Sequence, residues 1–334
     1  MSAATADSFE APVTSRGERI RKALVGTAPI FIVLFVLLAL IAIENPNFLE
    51  PPGFLAFLKR AAPLAILAAG QYFVIVSGEF DLSVGSLVTV VVVVAARIID
   101  NDPSRTWPVI ALVLAIGAAV GMVNGLITTR LKVPSFITTL GMLLILSGAV
   151  FYWTGGAPRG ALADNFREIG RLGIQDFPVL EQLPWSVLIL LVLGIGAIFL
   201  MRASFGRRLM AVGDNESAAR LSGVKVENMR TIAFVLSGLS AAVAGILLGG
   251  FAGVSAQVGQ GLEFSAITAV VLGGVVLGGG RGTVLAAMAG ALTLEALFTL
   301  LNLYGVSGAL EDTVQGIIII VAVAFASYRL RGAR

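Results

Sequence analysis

Two groups of residues in this chain are of types that can do chemistry in an apolar setting. The first is Asn215-Glu216-Ser217-Ala218-Ala219-Arg220-Leu221-Ser222-Gly223, a polar island in a basic loop, 202–230, between two membrane-length apolar runs. Its chemistry is recognition. Asp214 or Asn215 can cap a helix N-terminus, Glu216 suits the positive first turn, and Gly223 suits a left-handed stop. The helix so defined has two turns, roughly 12 Å, and is marginal alone in water. It needs a surface to dock on. Ala218, Ala219 and Leu221 offer a small, close-packing contact and Arg220 a charge. A frayed turn in a surface loop is the competing reading.

The second group is the few acids and amides inside the apolar runs. Glu79 and Asp81 interrupt one run at Gly78–Gly85, and Glu295 lies in mid-run beside Thr293 and Thr299. A charge at membrane depth costs about 2.5–3.5 kcal/mol on insertion scales. Asp81 can lower that cost by capping the following run together with Ser83. The break then reads either as a tight interfacial turn or as a re-entrant segment lining a pathway or gate. Glu263-Phe264-Ser265 repeats the acid–apolar–serine order of Asp81-Leu82-Ser83. Candidate pathway or gate residues are therefore Asp81, Ser83, Asn124, Phe136, Thr138, Glu263 and Glu295. Gln71, Thr139 and Thr268 add polar groups; Tyr72, Phe73 and Trp153 add aromatic surface. The Gly273–Gly282 stretch carries six glycines. It reads as a broken helix near a pathway or as close helix packing with a turn.

Catalysis finds no foothold. The chain has no cysteine and no histidine, which excludes thiol chemistry, disulfides, Cys/His metal sites and a histidine proton relay. No catalytic residues and no metal site are expected.

The elements that must position these residues are helical spans. Of 334 residues 57% are hydrophobic and 13% charged, against about a quarter charged in soluble domains. The apolar runs are continuous, which favours helical spans over the alternating strands of a barrel. The reading is an all-α bundle of ten spans, near 27–43, 61–78, 83–99, 107–127, 133–154, 185–201, 231–251, 265–280, 283–303 and 312–328. Residues 1–26 form a polar N-terminal segment without a cleavable signal, 27–328 the membrane domain, and 329–334 a tail. With the N-terminus inside, 16 Lys and Arg fall on the cytoplasmic side and 7 outside. That bias puts both termini and the 202–230 loop in the cytoplasm. The two acid–apolar–serine triplets lie five spans apart and so face opposite sides. This is the pattern of an inverted repeat of spans 2–5 and 7–10. In the long outer connection 155–184, a short amphipathic helix near Phe166–Leu172, a plain connector and a docking surface are all open readings.

Four ordered motifs carry a resemblance that covers about residues 27–328. The first is Ser204-Phe205-Gly206-Arg207-Arg208 … Val212-Gly213-Asp214-Asn215 … Ala218-Ala219-Arg220-Leu221-Ser222-Gly223-Val224. The others are Gly78-Glu79-Phe80-Asp81-Leu82-Ser83-Val84-Gly85, Asn124-Gly125 … Val133-Pro134-Ser135-Phe136-Ile137-Thr138-Thr139-Leu140-Gly141, and Gly273-Gly274 … Gly278-Gly279-Gly280-Arg281-Gly282. Together they resemble the ribose/xylose/arabinose-type sugar permeases of bacterial ABC importers. The resemblance implies a multi-pass inner (plasma) membrane protein that hydrolyses nothing itself and holds no cofactor. It also implies a second permease copy, a cytoplasmic ATPase that binds the ATP, and a periplasmic or extracellular sugar-binding protein; nucleic acid plays no part. Asn215, Glu216, Ala218, Ala219, Arg220, Leu221 and Gly223 would then form the helix that couples to the ATPase. The chain agrees by carrying no phosphate-binding Gly-x-x-x-x-Gly-Lys-Ser/Thr loop. Glu79 departs from the family, which has a small residue there; a local ion pair and an altered pore are the two readings. Permeases for branched-chain amino acids, nucleosides or a signalling sugar derivative are the near alternatives, and an ion-coupled secondary transporter the distant one.

Overall fold

The computed structural model describes residues 16–321 except 179, 307, 312 and 319, with side chains from residue 29 onward other than those of 181 and 309. Among the described residues the regular structure is helical apart from one hairpin. Its helices are α1 (Arg16–Glu44), α2 (Pro51–Val76), α3 (Val84–Ile99), α4 (Thr106–Arg130), α5 (Ser135–Thr154), α6 (Asp164–Arg171), α7 (Trp185–Arg202), α8 (Ser204–Asp214), α9 (Glu216–Leu221), α10 (Val226–Ala252), α11 (Leu262–Leu272) and α12 (Val284–Leu303). Strands β1 (Gly173–Phe177) and β2 (Glu181–Pro184) pair antiparallel between α6 and α7. Residues 313–318 and 320–321 are helical again. Residues 322–328 of the tenth expected span, and the tail 329–334, lie outside the described residues.

The bundle is built around α2. Every residue from Ala61 to Val76 is buried, as a helix apolar on all sides requires. Around it α7, α10, α11 and α12 close one apolar core, and α3, α4 and α6 close a second against α10. Small residues set the closest crossing. Gly117, Gly121 and Gly125 of α4 lie on one face at four-residue spacing, directly against Gly238, Phe234 and Thr231 of α10. Main chains can approach this closely only where side chains are missing.

Six helices among the described residues are long and apolar enough to cross a membrane: Pro51–Val76, Pro103–Arg130, Ser135–Thr154, Trp185–Arg202, Val226–Ala252 and Val284–Leu303. Pro29–Glu44, Val84–Ile99 and Leu262–Leu272 are shorter apolar helices. The shortness of α3 and α11 has a geometric cause: both begin inside the bundle. α10 has 27 residues, roughly 40 Å. Arg230 near its start meets the Ser77 carbonyl, Ser237 near its middle meets Asp81, and Gly245 further on meets Val91. The chain 77–83 therefore enters alongside α10 before α3 begins. From the other end, segment 253–261 turns back inward until Gly259 lies against Gly85 and its N–H donates to Thr89 Oγ1 (3.1 Å). α11 starts there.

Two expectations change. The second helix begins at Pro51, ten residues ahead of the expected span, with proline in its first turn, and the half-exposed Arg60 that follows pairs with Glu295 of α12 (3.6 Å). The connection 155–184 is folded rather than plain. α6 buries Phe166 and seats Gly170 against Leu247 and Gly250 of α10.

Candidate functional site

The polar island is a capped helix. Asn215, in extended backbone, accepts a hydrogen bond from the Ala218 N–H at Oδ1 (3.0 Å), which makes it, and not Asp214, the N-cap of α9. Ser222 Oγ donates to the Ala218 carbonyl (2.9 Å), and Gly223 ends the turn at φ +79°. Ala219 is 4% exposed and packs on Val212 and Val226. It fastens α9 to the protein's own body and is not an outward contact. Ala218 is exposed and Leu221 is 91% exposed. Arg220 is not a free charge either: it pairs with Glu216 (2.9 Å) and Glu227 (2.6 Å). The hydrogen bond from Arg220, with Arg230 adding to it, holds the Glu216 carboxyl below the usual glutamate range.

Arg230 joins this helix to the first break. Its guanidinium meets Glu216 Oε2 (2.9 Å) on one side and Glu79 Oε1 (3.1 Å) on the other, and donates to the Ser77 carbonyl (3.3 Å). The unusual acid at 79 is thus locally paired. Sequence reasoning counted Arg230 only as a loop charge; its position just inside the apolar run of α10 was the available signal. Beside this bridge three main chains meet without side chains. A methyl group on Gly279 would stand 2.9 Å from Gly213 Cα and 2.9 Å from the Gly78 nitrogen. Gly280 N–H donates to the Val76 carbonyl (2.9 Å). Gly279, Gly280 and Gly282 all have positive φ, which glycine adopts at no steric cost. The Gly273–Gly282 stretch is therefore a turn packed against the base of the α8–α9 loop.

Asp81 is 1% exposed and fully held. Oδ1 accepts from Ser83 N–H (3.0 Å) and Ser83 Oγ (2.6 Å), and Oδ2 from Ser237 Oγ (2.8 Å). Asn124 Nδ2 donates to Ser83 Oγ (2.9 Å). Gln71, with its amide turned to match, brackets the Asp81 main chain (3.2 and 3.3 Å). Ser135 and Thr139 of α5 take the main chain of Phe80 (3.1 and 3.4 Å). Asp81 caps Ser83 rather than the first turn of α3. Four helices thus clamp seven non-helical residues, and Ser237 and Ser135 are members that hydropathy alone does not mark.

The remaining candidates separate. Glu263 is 7% exposed at the start of α11, against Gly85, with no side-chain partner among the described residues. Glu295 sits apart, by a 690 Å3 cavity between α1, α2 and α12, neutralised by Arg60. Phe136 faces outward at 56% exposure, whereas Thr138 is buried, its hydroxyl unpartnered among the described residues. Asp81, Ser83 and Asn124 are in one network; Glu263 lies across Gly85 from it; Glu295 and Phe136 belong to neither.

Residues 53–323 match the family described as branched-chain amino acid transport system / permease component. The ribose import permease protein RbsC of Escherichia coli K12 is 37% identical over 295 residues, 87% of this chain and 91% of that protein. RbsC of Bacillus subtilis 168 is 38% identical over 298 residues, covering 88% and 90%. The L-arabinose ABC transporter permease protein AraH of Azospirillum brasilense is 32% identical over 327 residues, covering 97% and 93%. No solved structure matches the chain.

Proposed function

Since the chain belongs to the branched-chain amino acid transport system / permease component family, we propose that it is the membrane-spanning permease subunit of a bacterial ABC importer for a monosaccharide. The solute arrives on an external binding protein, and a separate cytoplasmic ATPase supplies the work. The ribose and arabinose permeases among its relatives support the solute class. The observation that carries the mechanism is the path from α9 to the first break. Leu221 and Ala218 present a small apolar surface, and Glu216, Arg230 and Glu79 tie the helix beneath it to the segment Asp81 anchors. ATPase closure pressing on α9 would act on that segment within one ion-pair chain. The sugar passes elsewhere.

The same reading puts the protein in the inner membrane as a pair of permease copies, with both termini and the 202–230 loop in the cytoplasm, on the strength of the 16-to-7 charge bias. It keeps ten spans, with 2–5 and 7–10 as inverted halves. The breaks at 77–83 and 253–261, the first entering alongside α10 from its start and the second turning back from its end against α3, support it. No ATPase site belongs to this chain.

Co-purification tests the reading. Co-expressed with its ATPase subunit, the wild-type permease is expected in a stable complex, and Leu221→Asp is expected to lose at least ten-fold of it while Leu221→Met keeps it. Full complex with Leu221→Asp counts against α9 as the docking helix. The description of the family favours one second reading, a branched-chain amino acid as solute; ATP-driven uptake of leucine and not of ribose or arabinose by the reconstituted complex would select it.

A further inference from the structure

Most acids in or beside the apolar helices have partners. Glu79 has Arg230, Glu295 has Arg60, and Asp81 has two serine hydroxyls. Glu263 differs. It is nine-tenths buried, yet no cation, hydroxyl or amide side chain among the described residues pairs with it; the hydrogen-bonding groups that reach its carboxyl are the backbone N–H groups of Gly261 and of Glu263 itself. An unpaired acid inside an apolar bundle is expensive and marks a functional group by default. It is also deliberately accommodated. A methyl group on Gly85 would collide with Glu263 Oε2 and with the Gly259 carbonyl, so the first turn of α3 lacks a side chain where the carboxylate lies.

The carboxylate lines a cavity of 310 Å3 between α3, α5 and segment 253–261. Small-molecule sites run from about 300 to 1,000 Å3. Ser86, Ser147, Gln257, Gln260 and Phe151 share its wall. The side-chain amides of Gln257 and Gln260 have no partner among the described residues, so their donors and acceptors are free for a guest. Glu263, Gln257 and Gln260 also face a second cavity of 770 Å3 on the far side of the segment, toward Gln315. The segment thus stands between two openings.

We propose that this cavity receives the transported solute, a neutral polyhydroxylated molecule of monosaccharide size, and that Glu263, Gln257 and Gln260 recognise its hydroxyls. A carboxylate accepts two hydroxyl hydrogen bonds, each amide both donates and accepts, and Phe151 offers an apolar face to the C–H side of a ring. A cationic solute is disfavoured by the single charge against many neutral groups; an anionic one is repelled by Glu263. The proposal rests on the sugar-importer reading and names where the sugar sits.

The absence of cysteine makes the test clean. Ser147→Cys is reconstituted in liposomes with the ATPase and binding protein and titrated with a methanethiosulfonate reagent, with and without ribose or arabinose. Labelling is expected to abolish ATP-driven uptake, and saturating sugar to slow labelling at least three-fold. In parallel, Glu263→Gln and Gln257→Ala are expected to lower uptake at least ten-fold while assembling with the ATPase in wild-type amounts. Protection absent in a wild-type-active complex, with Glu263→Gln and Gln257→Ala transporting normally, overturns the cavity assignment and leaves the importer reading standing. No ATP-driven uptake of either sugar by the wild-type complex overturns the reading beneath it. Uptake driven by a proton gradient without ATP overturns both, and assigns Glu263 to ion coupling.

Discussion

Asp81-Leu82-Ser83 and Glu263-Phe264-Ser265 share an order of residue types and little else. Both stand where a short helix starts inside the bundle, one against α10 and the other against Gly85. At the first, both carboxylate oxygens are taken by serine groups, the neighbouring main chain is gripped by Gln71, Ser135 and Thr139, and Glu79 ties the segment outward to Arg230. At the second, the acid faces space, and its own serine turns instead to Gln315 (3.1 Å). The same local pattern therefore serves two ends. On the proposed reading the satisfied acid would make a joint that transmits displacement, and the acid without a side-chain partner would keep hydrogen-bonding capacity for something that comes and goes. What differs is the facing helix. α10 brings Ser237 to the first acid, and α3 brings only Gly85 to the second.

The comparison is broken most severely at Asp81. Asp81→Ala strands the hydroxyls of Ser83 and Ser237 in a buried site, at about 1–3 kcal/mol for each group left unsatisfied. We expect a marked loss of folded protein in detergent, read as thermal inactivation several degrees lower. Glu263→Gln should do the reverse. Removing an unpaired buried charge costs no ion pair, so the melting temperature is expected to hold or rise. Equal destabilisation by the two variants would show the contrast to be false.

A smaller effect is expected at the bridge between α9 and the first break. Arg230→Met leaves Glu79 and Glu216 without their shared cation. Transport per ATP hydrolysed is expected to fall about three- to ten-fold, a coupling loss of order 1 kcal/mol, while ATPase binding through Leu221 persists. Unchanged stoichiometry would cut α9 off from the break. The mildest probe is pH. The Glu216 carboxyl is depressed in the folded protein, so its contribution is complete above the ordinary glutamate value of 4.5 and lost as pH falls through the lower, folded value. Hydrogen exchange across α9, corrected for intrinsic rates, should be flat from pH 7 to 4.5 and quicken only below it. Loosening already at pH 6 would remove Glu216 from the latch.

Hydropathy located the helices because each apolar run is continuous, and capping chemistry located α9 because Asn215 and Gly223 bracket it. Depth was not legible. Nothing in Val84–Ile99 says that the helix begins part-way along α10, since depth is set by what the preceding residues touch. Lys59-Arg60 looked like the edge of a span, because the acid that pairs with Arg60 and lets the helix run on past it is 235 positions away at Glu295. The inward turn of Ala219 and outward turn of Leu221 were equally hidden. Six residues are too few for a helical period to show which face packs. The pairing of Glu79 with Arg230 spans 151 positions and has no local trace. Pairing of an acid is a property of the partner's address, which hydropathy cannot carry.

The meeting of Gly78, Gly213 and Gly279 has a kinetic consequence. Interlocked side chains resist sliding because rotamers must be reset before one surface passes another. Here main chain lies on main chain, and glycine has no side-chain entropy to lose or regain. What resists movement across this seam is one main-chain hydrogen bond, from Gly280 N–H to the Val76 carbonyl, and the ion pairs of Arg230 beside it, so the stroke of the machine would be timed by those bonds and the seam itself would behave as a bearing.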